Sequence, residues 1–131
     1  MATPSNVEVT LNQCVEFDDR AVFLSSEPLT LEANALYTEQ LELAASAADT
    51  SVDLATKLDT CMMIVIREVG GNTAGALYGP AAGAGNKFAL GGGKGTVIRL
   101  KDNSTPPVLY ISNPSGTDKL FVEVTAIGAR S

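Results

Sequence analysis

Hydrophobic and polar side chains alternate along much of this chain with the two-residue period of a β-strand. The segment 120–127 is the clearest case, since Leu120 and Val122 alternate there with Phe121 and Glu123. This pattern predicts a strand with one face on a hydrophobic core. Shorter apolar or alternating runs lie at 7–11, 15–17, 21–24, 29–31, 37–43, 52–54, 76–78 and 88–90.

The run LDTCMMIVIREV is the most apolar part of the chain. A two-residue period would point Met62, Ile64 and Ile66 to one side and Met63 and Val65 to the other. Because both sides are apolar, we expect a central strand that is covered on both faces.

Turn residues separate these runs and set the predicted architecture. Residues 95–128 read as three strands joined by two turns, and Asn113-Pro114-Ser115-Gly116 has the composition of the second reversal. Ten of the 12 glycines lie in residues 70–95, where two short strands are expected on either side of a loop at 79–86. Nine or ten short strands at regular spacing predict an all-β fold, a single antiparallel β-sandwich with jelly-roll or immunoglobulin-like topology.

The chain has 131 residues and a net charge of −6, with the acids concentrated in its first part. Residues 1–56 carry ten acids and one base, a balance of −9, whereas residues 57–131 carry five acids and eight bases, a balance of +3. Either the difference reflects surface solvation alone, or it creates an acidic and a basic face for oriented docking. The length predicts one domain, and the acidity argues against nucleic acid as a partner. No apolar stretch is long enough for a membrane span, and MATPSNVEV has no features of a secretory signal.

Reactive residues are scarce, which argues against an enzyme. The chain has no histidine, so neither the serines nor Cys14 and Cys61 have the partner that nucleophilic catalysis usually uses. The two cysteines lack the spacing of a metal site, and we expect both to be reduced. A pair of carboxylates on strands, for example Glu8 and Glu16, is the remaining route to hydrolysis, but outward-facing strand positions explain these residues better.

The sequence also lacks the residue spacing that cofactor and metal motifs require. The glycines before Lys94 suggest a phosphate loop, but Gly95 follows the lysine and Phe88 occupies the position of the first glycine. Aspartates at 18, 19, 49 and 53 do not form a calcium-loop pattern. We therefore predict no cofactor and no metal site.

Aromatic residues leave one further possibility, a carbohydrate-binding module. Tyr37, Tyr78 and Tyr110 could form a sugar-stacking platform, although the chain has no tryptophan. Their wide separation in sequence favours positions in the core or at an interface. The carbohydrate-binding module stays as the alternative function.

Two segments resemble small β-sandwich proteins of tailed-phage virions. In AASAADTSVDLATKLDTCMMIVIREV, residues 44–69, a small-residue turn leads to a V-D-L strand and then a buried apolar strand. VLYISNPSGTDKLFVEVTAIG, residues 108–128, resembles the closing hairpin of those proteins. The resemblance implies a capsid decoration (cement) protein, or else a tail- or fibre-associated virion module. It further implies the major capsid protein as partner, a homo-oligomer (dimer or trimer), assembly in the host cytoplasm and a final place on the virion surface.

A module that decorates a shell needs a segment that reaches beyond its own core. Residues 1–6 are polar and without periodicity, so they are expected to form an extended arm. The loop 79–86 has tiny side chains, which allow its backbone to approach a neighbouring surface closely. We expect contacts with another chain to order at least one of the two. The candidate interface residues are Pro4, Asn6, Gly79, Pro80, Ala82, Gly83, Gly85 and Asn86.

Overall fold

A computed structural model describes the backbone at residues 5–9, 13–17, 20–25, 29–70, 72–83, 85 and 87–130. Side chains are described at residues 33–70, 72–83, 85, 87–101 and 104–130. Within these ranges the fold is almost entirely β, with one 3₁₀ turn at Leu54–Thr56. The strands are β1 (Ser5–Val9), β2 (Gln13–Phe17), β3 (Arg20–Ser25), β4 (Leu29–Ala33), β5 (Ala35–Leu43), β6 (Thr50–Asp53), β7 (Thr60–Gly70), β8 (Ala76–Gly79), β9 (Phe88–Leu90), β10 (Gly95–Ser104), β11 (Val108–Ser112) and β12 (Leu120–Ala129).

Strands β5 to β12 form two antiparallel sheets of four strands each. One sheet has the order β10-β7-β12-β5 and the other the order β6-β11-β8-β9. The first four of these strands pair with the last four in reverse order: β5 with β12, β6 with β11, β7 with β10 and β8 with β9. A long hairpin rolled up in this way is a jelly roll. The predicted β-sandwich is confirmed, and its topology is the jelly-roll one.

The main core lies between the two sheets and is built from their alternate positions. On β12, Leu120, Val122, Val124 and Ala126 are fully buried, as their two-residue period predicted. Ile111 on β11 meets them from the opposite sheet and is also fully buried. Each such side chain contributes about 1.5–3 kcal/mol of burial, which holds the two sheets together.

A β-bulge in β7 changes the expected sides of its methionines. Ile127 pairs with Met63, but the next residue of β12, Gly128, pairs with Cys61, so Met62 is an extra residue. The bulge places Cys61 in the main core, whereas Met62 joins Met63 in a second buried cluster. The central position and two-sided burial of β7 agree with the prediction, but the assignment of Met62 to the side of Ile64 and Ile66 was wrong.

The connection from β11 to β12 crosses between the sheets. Since β11 lies between β6 and β8 while β12 lies between β7 and β5, the predicted closing hairpin was wrong. Asn113 explains the crossing, because its buried side chain donates hydrogen bonds to the carbonyls of Ala44 (2.9 Å) and Asp118 (2.8 Å). These bonds tie the loop between β11 and β12 to the loop after β5.

The four strands before the jelly roll form two separate antiparallel pairs, together called the N-terminal hairpin here (the described strands of residues 5–33). β1 pairs with β4, and β2 pairs with β3. The two pairs are separate two-stranded sheets, and the β2–β3 pair has a register shift between Gln13 and Cys14. These segments were predicted as strands, and their described residues form the four strands of the two pairs.

The N-terminal hairpin joins the sandwich at Asn34. The backbone N–H of Asn34 donates to the carbonyl of Gly128 (3.1 Å), and its side-chain oxygen accepts from the N–H of Arg130 (2.8 Å). The main contact of the hairpin with the sandwich is that of β4 with β12. Among the described residues, no third strand pairs with either edge of the hairpin.

Candidate interaction surfaces

An apolar cleft opens where the edges of the two sheets lie one above the other. Ile98 and Leu100 of the edge strand β10 form one wall, and Tyr78 and Phe88 of β8 and β9 form the other. The cavity has a volume of about 330 Å³. Its lining is almost wholly apolar and is completed by Ile64, Gly79, Pro80, Pro107 and Leu109.

Phe88 is the most unusual residue of this cleft because its large ring is mostly in solvent. It is 65% exposed, and its ring centroid lies 5.9 Å from that of Tyr78. Leu36 on β5 is as exposed (67%), but it belongs to the opposite edge of the other sheet. An exposed aromatic beside an open apolar cleft is typical of a binding surface.

The edge strand β10 also carries positive charge, although Arg99 pairs with Met63 and alternates with the cleft residues Ile98 and Leu100, so its side chain lies on the face of the sheet away from the cleft. Lys94, directly before the strand, is exposed, and so are Arg99 and Lys101 within it, while Asp102 is the one acid in this stretch of sequence. The pairing of β10 with β7 shifts register after Arg99. No described strand pairs with the outer edge of β10, so its backbone groups are open to a further strand.

The N-terminal hairpin carries the opposite charge. Residues 1–33 contain six acids and one base, a balance of −5, of which the described strands hold Glu8, Glu16, Glu32 and Arg20, a balance of −2. Residues 34–131 contain nine acids and eight bases, a balance of −1.

The glycine-rich loop after β8 is tied down by Asp49. One carboxylate oxygen of Asp49 accepts a hydrogen bond from the N–H of Gly83 (2.9 Å), and Asp49 also forms an ion pair with Lys87. The ammonium of Lys87 donates to the carbonyl of Gly83 (2.9 Å). The Lys87 hydrogen bond, followed by that from Gly83, lowers the pKa of Asp49 below its ordinary value. The loop is therefore held from within the chain at Gly83.

The predicted interface residues fall in three places. Gly79 and Pro80 line the apolar cleft, while Ala82, Gly83 and Gly85 are exposed on the loop beyond it. Asn6 lies in β1, opposite Glu32. Pro4 and Asn86 lie outside the described residues. The sequence pointed to one end of the cleft but missed Phe88, Ile98 and Leu100, because only the pairing of the strands reveals which edges face each other.

The three tyrosines do not form the shared platform that the sugar-binding alternative requires. Tyr37 lies in the first sheet, donates a short hydrogen bond to Glu39 and sits beneath the Lys57 ammonium, 5.3 Å from its ring centroid. The Glu39 hydrogen bond raises the pKa of Tyr37 to about 12. On the second sheet Tyr78 pairs with Ile111 and Tyr110 with Gly79, so these two rings point to opposite faces.

The buried acid Glu68 has a structural role. Its two carboxylate oxygens accept hydrogen bonds from the N–H groups of Gly70 (3.0 Å) and Gly93. These bonds tie the end of β7 to the turn before β10. Within the described ranges there is no group of three metal-ligating side chains. Nor does that part of the chain contain a helix that is both long and apolar enough to cross a bilayer.

No known protein family matches this chain, and no curated protein or solved structure is significantly similar to it. Its function must therefore be inferred from the fold and its surfaces.

Proposed function

We propose that this chain is a virion structural protein that binds the outside of a phage capsid and stabilises the shell. The observation that carries the proposal is the N-terminal hairpin, whose two pairs of strands have no third strand in the described part of the chain. An isolated two-stranded sheet is marginally stable in water, so contact with another chain would stabilise these strands. A domain that carries such strands is suited to assembly.

The architecture of the domain supports the same class of function. Jelly rolls recur in viral capsid and lectin domains, and fold-level analogy therefore leaves a shell protein and a sugar binder as candidates. The cleft supports the shell protein, because a sugar site needs polar groups that orient hydroxyls, whereas this lining is almost wholly apolar. Apolar lining favours a protein partner.

The loop after β8 is our candidate for direct contact with the capsid. Ala82, Gly83 and Gly85 are exposed, and the Asp49–Lys87 pair holds the loop before any partner arrives. Small side chains let a backbone approach a neighbouring surface closely, and a loop that is already ordered loses less entropy on binding. Attachment then stabilises the assembled shell by mass action.

The test is to add the purified chain to capsids that lack a decoration protein and to measure cosedimentation and thermal release of the genome. Binding with increased shell stability is expected. Gly85→Arg should weaken binding about tenfold or more, since a built Cβ at Gly85 meets no atom within 4 Å and the fold tolerates the change. Gly116→Arg is the matched control, because Gly116 is also exposed and its Cβ would meet only Ser46 Oγ, at 3.7 Å.

Absence of binding to capsids would overturn the proposal. Binding to immobilised glycans in its place would favour the carbohydrate-binding module, and binding to tails or fibres the tail-associated alternative. Equal losses in Gly85→Arg and Gly116→Arg would remove the loop from the contact surface.

A further inference from the structure

Phe88 lies on the inward face of its sheet, although its ring is mostly in solvent. Phe88 pairs with Tyr78, and Tyr78 pairs with Ile111, which is fully buried in the main core. Because directly paired residues of antiparallel strands share a face, Phe88 points towards the first sheet. It is nevertheless 65% exposed, which means that the first sheet does not cover the second sheet at β9.

The first sheet ends at the same place with inward residues that are incompletely covered. Ile98 of the edge strand β10 pairs with the fully buried Ile64, so it also points into the sandwich. Ile98 and Leu100 pack against the main core but are only partly buried. Within the described ranges, no strand pairs with the outer edge of β10 or of β9. The sandwich therefore has two open strand edges on one side, with the apolar cleft between them.

We propose that β10 of one copy pairs antiparallel with β10 of a second copy across a two-fold axis, so that each copy closes the apolar cleft of the other. An axis perpendicular to the sheets matches layer with layer, because β10 and β9 are edges on the same side of the two sheets. The two first sheets then form one sheet of eight strands, joined by main-chain hydrogen bonds. Association removes the exposed ring of Phe88 from water.

The faces and charges of β10 select one register for this pairing. Directly paired residues share a face, so the axis must pass beside a residue that meets its own copy. Centring on Arg99 sets that cation against itself, and centring one residue later sets it against Lys101, both of which are unfavourable. Centring on Ile98 instead pairs Arg99 with Val97 and Lys101 with Gly95 of the second copy. It gives the longest overlap within β10 in which no two of these cations are opposed.

The contact is large enough for a stable dimer. The ten residues of β10 are about 33 Å long as extended strand, and a sandwich of two layers is about 20 Å thick. The edge thus offers about 660 Å² on each copy, or about 1,300 Å² in total, within the roughly 1,200–2,000 Å² of specific interfaces. A small apolar ligand would fill the cleft of about 330 Å³ but would leave the edge of β10 unpaired. A second copy satisfies both features at once.

The first experiment measures the mass of the full-length chain by light scattering and sedimentation, without any capsid. We expect a dimer and no larger species, because a two-fold contact closes on itself. Phe88→Asp should weaken association about tenfold or more, since it places a charge in the closed cleft. Leu36→Asp is the matched control, because Leu36 has nearly the same exposure (67% against 65%) on β5, the opposite edge of the first sheet. Thermal unfolding checks that both variants are folded.

The second experiment tests the register by cysteine cross-linking in a Cys14→Ser background, where the remaining thiol of Cys61 is fully buried. Ile98→Cys should give a disulfide-linked dimer on mild oxidation, because this residue meets its own copy at the axis. Directly opposed residues have Cα atoms about 4.5–5.5 Å apart, which is within the range of a disulfide. Thr38→Cys, exposed on the opposite edge strand β5, is the control and should stay uncross-linked.

A mixture of two variants tests the same register without changing Ile98. Thr96→Cys and Leu100→Cys should cross-link with each other but neither with itself, because the register places Thr96 opposite Leu100 of the second copy.

A monomeric or trimeric full-length chain would overturn the proposal, as would a dimer that Leu36→Asp weakens as much as Phe88→Asp. Failure of both Ile98→Cys and the mixture to cross-link would exclude β10 as the contact, and cross-linking through Thr38→Cys alone would place the contact at β5. These outcomes do not involve capsids, so they are separate from the test of the proposed function.

Discussion

Asn72 and Asn113 are joined by a side-chain hydrogen bond of 2.7 Å inside the protein, where they are 4% and 3% exposed. Asn113 Oδ1 accepts this bond and also one from the N–H of Ser115 (3.0 Å). Asn72 Oδ1 in turn accepts from the N–H of Ala74 (2.8 Å). With the bonds of Asn113 to the loop after β5, this pair connects three loops at one end of the jelly roll.

Replacing Asn113 with alanine should lower the free energy of unfolding by about 3 kcal/mol. The substitution removes the hydrogen bonds to the carbonyls of Ala44 and Asp118 and leaves the buried amide of Asn72 without its partner, and an unsatisfied buried group costs about 1–3 kcal/mol. Urea unfolding followed by circular dichroism measures the change. Gln40→Ala, at an exposed position, is the control and should change stability by less than about 0.5 kcal/mol. A loss in Asn113→Ala as small as that of the control would contradict a structural role for the pair.

Gly128 is required by the close approach of β12 to the start of β7. A Cβ atom at this position would lie 1.9 Å from the carbonyl oxygen of Thr60, which is a severe backbone clash. Gly128→Ala should therefore destabilise the protein by about 3 kcal/mol or more, and the thermal midpoint should fall accordingly. Gly85→Ala serves as control, because a Cβ there meets open space. Equal midpoints for the two variants would show that the strands separate at little cost.

The strands could be predicted from the sequence because a strand with one buried face has hydrophobic and polar residues that alternate with a two-residue period. Every run predicted as a strand lies in one of the twelve strands, or overlaps it. The sequence has no comparable pattern that shows which strands pair with each other. The turn composition of Asn113-Pro114 fits two alternatives, a hairpin within one sheet and a crossing to the other sheet. The hydrogen bonds of the buried Asn113 side chain favour the crossing. The two-residue period also does not identify Met62 as the extra residue of the bulge, because a bulge changes the face on which each side chain lies without changing the amino-acid composition.

The candidate surfaces were predictable only in part for the same reason. Glycine content drew attention to the loop at 79–86, and two of its residues, Gly79 and Pro80, line the cleft. Phe88 and Leu100 line the same cleft only once the eight strands β5 to β12 have folded into the jelly roll. The pairing of β1 with β4 likewise joins segments that are distant in the sequence.

The loop after β8 should loosen in acid, when Asp49 becomes protonated. Because the folded-state pKa of Asp49 lies below the ordinary value of 3.8, its contribution is fully present above that value and is lost as the pH falls through the lowered pKa. The amide chemical shift of Gly83, followed by NMR, should show this transition. Asp49→Asn should abolish it and give the low-pH shift at neutral pH.

Glu42→Gln is the control for the loop experiment. Glu42 forms an exposed ion pair with Lys119 (2.9 Å) that does not involve the loop. This variant should leave the Gly83 transition unchanged. A Gly83 amide that titrates in Asp49→Asn as in the parent chain would mean that another acid controls the loop.

Cys61 should be almost inert in the folded protein and reactive only after unfolding. Its side chain is fully buried, and its thiol donates to the carbonyl of Met63 at a sulfur–oxygen distance of 3.7 Å. Burial raises the pKa of Cys61, so the reactive thiolate is rarer at neutral pH than for an exposed thiol. In a Cys14→Ser variant, where Cys61 is the one remaining thiol, a colorimetric thiol reagent should react at least about a hundredfold faster in denaturant. The denatured parent chain should yield both thiols, because we expect Cys14 and Cys61 to be reduced. Rapid reaction of the native variant would show that the β7 bulge opens, and a denatured parent chain without free thiols would contradict the reduced state.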